Sequence, residues 1–151
     1  LFSVEASEIA AGTVEIKSIA REAGSRTKIA VISHDANIDA VGSCVGQRGA
    51  RVTAVINELG GEKIDITEWS ENTKTFIENA LSPAKVISME LNEAEKSAKV
   101  EVAPDQFSLA VGRGGQNVRL AVKLTGWKID ISSPGAMAET SQEEPESLPE
   151  E

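Results

Sequence analysis

The chemistry-bearing residues of this chain gather around two bare loops, Gly46-Gln47-Arg48-Gly49 and Gly112-Arg113-Gly114-Gly115. Arg51 follows the first loop; Gln116, Asn117, Arg119 and Lys123 follow the second. Each loop precedes an apolar periodic run that reads as a helix. Exposed N–H groups at a helix N-terminus form a positive nest, and an anion such as phosphate is its natural occupant. Glycine lets a ligand's backbone approach closely. Arg48 and Arg51 lie three apart across the first loop and helix start. Arg119 and Lys123 lie four apart on one side of the second helix, off its apolar face. Gln116 and Asn117 have two readings: helix caps, or donors and acceptors for phosphate, sugar or base.

Other chemistries lack their parts. Gly112 and Gly114 meet two of the glycines of a dinucleotide fingerprint, but Asn117 stands at the third, and a helical segment precedes where a strand is required. No Lys-Ser/Thr pair follows, so a nucleotide-hydrolysing P-loop is excluded. Cys44 is the only cysteine and His34 the only histidine, so no disulfide framework or cysteine-rich metal site exists. Cys44 falls where the second half has Ala110, which predicts a small core side chain rather than a reactive thiol. Asp65 and Asp130 each follow a lysine by two residues on a strand, and read as solvated partners of Lys63 and Lys128. The expectation is a binding protein without catalytic residues, metal or cofactor.

The formal charge of −9 looks hostile to nucleic acid, but it is unevenly spread. The first 131 residues carry 18 acids against 15 bases, while the tail carries six acids and no base. A near-neutral body can still present a basic patch, and a polyanion responds to the patch. Residues 133–151, rich in Pro, Gly, Glu and Ser, predict an acidic disordered tail. No apolar run is long enough for a membrane span, and the lone cysteine fits a reducing compartment, so a cytoplasmic protein is expected.

The two loops belong to an internal repeat. VGSCVGQRGARVTAVINELGGEKIDI (41–66) compares with FSLAVGRGGQNVRLAVKLTGWKIDI (107–131) at an offset of 66 residues. Val52, Val55, Ile56 and Leu59 meet Val118, Ala121, Val122 and Thr125, predicting one buried face on each helix. After Gly60 and Gly126 the second copy loses one residue, and KIDI recurs. Ahead of each loop lie two candidate strands, 14–21 and 27–33, then 84–91 and 97–103. A short helix follows each pair, the second started by Pro104 with Asp105 as its cap. Candidate helices over 3–12 and 72–81 open the copies. The result is an α+β chain of two modules, each helix-strand-strand-helix-GxxG-helix-strand, with a three-stranded sheet and helices on one face. They are placed at 1–70 and 71–132, and the missing linker after Trp69 predicts that they touch.

The segments EIAAGTVEIKSIAREAGSRTKIAV, VGSCVGQRGARV, GGEKIDITEW, NALSPAKV and LAVGRGGQNVRLAVKLTGWKIDI together resemble the tandem KH region of the NusA family of bacterial transcription factors. The resemblance covers residues 1 to about 132. It implies type II KH modules that bind single-stranded RNA through both GxxG loops while the parent protein sits on elongating RNA polymerase. It implies roles in pausing, termination and antitermination, with RNA, the polymerase elongation complex and other transcription factors as partners, and a monomeric chain. Polymerase-binding and S1 domains precede the KH pair in that family, and this chain begins mid-pattern, so a segment of a longer protein is expected. Gln47 replaces a frequent proline, predicting a looser first turn, and Gly114 replaces a frequent acid. The competing reading is a protein-docking adaptor with little RNA binding of its own.

Overall fold

The computed structural model describes residues 1–134. Most of the tail expected at 133–151 lies outside the described residues. The chain divides into two compact units, Leu1–Ala80 and Leu81 onward.

The first unit opens with two single helical turns, α1 (Phe2–Glu5) and α2 (Ser7–Ala10), where one helix over 3–12 was expected. Ala6 breaks them apart: its backbone is extended (φ −117°, ψ 108°) and its methyl is fully buried. Next come β1 (Val14–Glu22) and β2 (Arg26–Ser33), then α3 (Ala40–Val45), the first glycine loop, α4 (Ala50–Glu58) and β3 (Lys63–Glu68). A last helix, α5 (Thr73–Ala80), falls within this unit, although the repeat had placed it at the head of the second. The sheet order is β1-β2-β3, antiparallel between β1 and β2 and parallel between β2 and β3. Phe2, Val14, Ile29, Val31, Ala40, Cys44 and Val55 form the core between sheet and helices. Cys44 has no exposed surface, and burial pushes its thiol up to about 11, the inert small core residue that the repeat predicted.

The second unit repeats the plan. It comprises β4 (Val86–Asn92), β5 (Ser97–Val102), α6 (Phe107–Val111), the second loop, α7 (Gln116–Thr125) and β6 (Lys128–Ser132). The order β4-β5-β6 again has an antiparallel first pair and a parallel second pair. Pro104 opens a 3-10 turn ahead of α6, but Asp105 does not cap it; the turn has no side-chain cap. α7 turns a different face inward from the one expected. Asn117, Leu120, Ala121 and Leu124 are buried, whereas Val118 and Val122 are only half-buried. The spacing is the same, rotated by about one residue, because Leu120 and Leu124 bury more apolar surface than the valines would.

The acids of β3 also differ from expectation. Asp65 does not pair with Lys63 on its own strand. It accepts from Arg26 (Nε 2.9 Å, Nη2 3.0 Å) and from Lys28 Nζ (3.0 Å) on β2. The parallel register sets Lys28 directly beside Asp65, and the Lys28 side chain is fully buried. Burial pushes the Lys28 ammonium below its usual value, with Asp65 opposing the shift. Lys99 and Asp130 meet in the matching register of the second sheet, but both are exposed.

Glu62, which the repeat drops in its second copy, fastens the β1–β2 hairpin to the start of β3. Its carboxylate, without exposed surface, accepts from Arg21 Nε (2.9 Å) and Nη2 (2.8 Å), from the Gly24 amide (3.0 Å), and from the Thr27 hydroxyl. The Arg21 hydrogen bonds, then those of Thr27 and Gly24, hold its carboxyl down at about 2. A carboxyl depressed in the fold stabilises it above the unfolded value, and the contribution disappears as pH falls toward the folded value. Wild-type stability should therefore decline between about pH 4.5 and 2 through this group. Glu62→Gln should melt lower at pH 7 and lose that part of the acid slope, as read by denaturation across pH.

Candidate nucleic-acid interface

The two loops follow one backbone path. Gly46 (φ 79°, ψ 174°), Arg48 (φ 53°, ψ 29°) and Gly49 (φ 75°, ψ 16°) are matched by Gly112 (φ 82°, ψ 166°), Gly114 (φ 62°, ψ 20°) and Gly115 (φ 77°, ψ 11°). The first position of each lies in a region that essentially only glycine populates. It also lies against the next helix. A Cβ on Gly46 would sit 2.8 Å from the Arg51 nitrogen, and one on Gly112 would sit 2.6 Å from the Asn117 nitrogen. The third position is left-handed in both loops. Arg48 adopts it at a cost of about 1–2 kcal/mol, which Gly114 avoids. Gly114 raises the entropic cost of ordering the second loop, yet it removes strain from the folded form. Gln47 leaves a closed turn, with the Gly49 amide 3.1 Å from the Gly46 carbonyl against 3.0 Å for Gly115 and Gly112.

Gly49 and Gly115 then serve as N-caps of α4 and α7, and neither helix has a side-chain cap. Helix N-termini carry unpaired amides and the positive end of the macrodipole. Gln47, Arg48, Arg113, Gly114 and Arg119 are exposed around them and Gln116 is half-exposed, whereas Lys123, expected beside the loop, is exposed in the last turn of α7. Arg119 Nη1 donates to the Gly114 carbonyl (3.0 Å), drawing its guanidinium back onto the loop.

Two of the expected contact residues are engaged within the fold. Asn117 is buried, and its Nδ2 donates to the carbonyls of Leu81 (3.1 Å) and Ala110 (3.0 Å). A side chain so placed cannot reach a ligand, and it caps nothing on its own helix. Arg51, at the matching register of α4, donates through Nη1 to the Ser43 carbonyl (2.7 Å) and to Glu8 Oε1 (2.7 Å). Both residues tie the helix after the loop to a carbonyl at the end of the helix before it, satisfying a terminal acceptor. The repeat aligned Arg51 with Asn117, so a polar residue at one register in both copies was the signal available for this role. Arg26 and Lys28 on β2 are held by Asp65. His34 lies beyond β2 in an exposed pair with Glu15 (2.9 Å).

Among the described residues no His/Cys/Asp/Glu group is arranged to hold a metal ion, and no helix is long and apolar enough to cross a membrane. Two three-stranded sheets with the same mixed topology, each with GxxG between its paired helices, define tandem KH domains. Residues 1–69 match the NusA-like first KH domain and residues 73–139 the NusA-like second KH domain, and the chain belongs to that family. It is 59% identical over 133 residues to the transcription termination/antitermination protein NusA of Bacillus subtilis (strain 168), covering 88% of this chain and 36% of the relative. The protein of the same name from Thermus thermophilus is 58% identical over 129 residues, covering 85% of this chain and 33% of the relative. The chain thus spans about a third of the length of these relatives. The crystal structure of APE1850 shares the fold at a TM-score of 0.58 and 24% identity, covering 87% of this chain and 96% of that one.

Proposed function

We propose that the chain binds single-stranded RNA through both glycine loops, as the RNA-binding part of a factor in transcription termination and antitermination. The observation that carries the reading is the shared backbone path of the loops, which ends at two helix N-termini without side-chain caps. Phosphates of an extended strand sit against the bare turns, and Arg48, Arg113 and Arg119 supply charge around them, with Lys123 farther along α7. Modules at 1–70 and 71–132 accord with the two family matches. The names of the relatives favour an RNA polymerase elongation complex as the larger partner.

Affinity should be weak to moderate, because few bases surround each loop. The slope of log K against log salt is about 0.7 per phosphate neutralised on single strands, so a total of roughly 2 to 4 is expected. Titration of a mixed single-stranded RNA pool at several salt concentrations checks this. No binding at low salt removes the reading and leaves the protein-docking adaptor in its place.

A further inference from the structure

Arg51 is placed beside the first loop yet occupied by an internal carboxylate. Glu8 on α2 and Arg51 on α4 are 43 residues apart in sequence, and their 2.7 Å contact is charge-assisted. Their side chains keep 28% and 32% of their surface, so the pair is open to exchange with solvent anions. Among the described residues only Nη1 of the guanidinium donates a hydrogen bond. The pair lines an open groove of about 670 Å³ whose wall includes Asp39, Gly46 and Gln47, so the space beside the guanidinium is continuous with the loop. In the second unit the matching position is Asn117, buried and uncharged.

We propose that Glu8 is an intramolecular stand-in for RNA phosphate at Arg51, restraining the first loop's affinity until a phosphate displaces it. The inference rests on the RNA-binding reading above. A carboxylate and a phosphodiester offer the same acceptor oxygens to a guanidinium, so they compete for it. Hydrogen bonding to its own backbone, then to Arg51, holds the Glu8 carboxyl below the usual range, so the competitor is charged at neutral pH. The Ser43 carbonyl keeps Arg51 positioned during the exchange, so displacement requires no refolding of α4. The first loop would then engage one more phosphate than its exposed residues suggest.

The test is a double-mutant cycle of Glu8→Gln and Arg51→Gln, read by RNA titration against salt and by thermal melts, with Glu8→Ala as the second variant at position 8. Glu8→Gln should bind about threefold more tightly and add about 0.7 to the salt slope, and the gain should shrink in the Arg51→Gln background. Equal gains in both backgrounds would mean only a general charge effect and overturn the proposal. Unchanged or weaker binding by folded Glu8→Gln and Glu8→Ala would also overturn it. If the wild type binds no RNA, the function reading fails separately, and dimethyl phosphate becomes the probe. A shift of the Arg51 Nε–H resonance with dimethyl phosphate in Glu8→Gln, far exceeding that in wild type, retains the competition. Equal shifts, or none, end it.

Discussion

Replacing Arg113 and Gly114 together by aspartate should abolish RNA binding at the second loop while leaving the fold intact. Both positions are exposed, and a Cβ on Gly114 would meet nothing within 4 Å. The remaining cost is backbone strain at φ 62°, which aspartate tolerates better than most residues, at about 1 kcal/mol. The effect on binding is larger. Hydrogen bonds to charged groups contribute about 1.5–3 kcal/mol each, and losing even one costs about tenfold or more in affinity. The substitution also sets two negative charges against the strand, so the defect should lessen as salt rises. Gln47→Asp with Arg48→Asp should act alike on the first loop, where Arg48 is already left-handed. The second loop should show the greater loss, because Arg113, Arg119 and Gln116 gather there. RNA titration with parallel melts checks both variants.

Gly112→Ala should do the reverse, damaging the fold first and binding as a consequence. At φ 82° and ψ 166° an alanine is strained, and its methyl would lie 2.6 Å from the Asn117 nitrogen. That neighbour is backbone in the first turn of α7, so relief means lifting the helix start off the loop. Asn117 would then lose its grip on the Ala110 carbonyl. Strain and collision together should cost roughly 3 kcal/mol. For a unit of this size that lowers the melting temperature by on the order of 10–20 °C. Gly115→Ala, whose Cβ would come no closer than 3.8 Å to Arg119, should cost much less. A thermal melt of the two variants separates collision from φ strain alone.

These contrasts show what was legible in the sequence. The repeat, the element order and the two loops could be read because glycine spacing and apolar periodicity are local signals. The inward face of α7 was misjudged by one residue. Val118 and Val122 fit the periodic template as well as Leu120 and Leu124 did, and only packing chooses between neighbouring stripes. Asn117 looked like a ligand contact because polar residues after a glycine loop usually face solvent. Its partners, the carbonyls of Leu81 and Ala110, are backbone atoms that leave no mark in side-chain patterns. Pairings across long separations, such as Arg51 with Glu8 or Asp65 with Arg26 and Lys28, depend on strand register and helix placement. Glu62 was hidden for a related reason: it sits in the one-residue insertion that the repeat alignment treats as a gap.

The most direct measurement of the central claim is the change in backbone amide resonances when short single-stranded RNA is added at low salt. RNA phosphates held at bare helix starts should shift the amides of residues 46–51 and 112–116 most, and α5 and the outer edges of β1 and β4 least. Shifts concentrated away from both loops, with affinity that resists aspartate in the loops, would contradict the account.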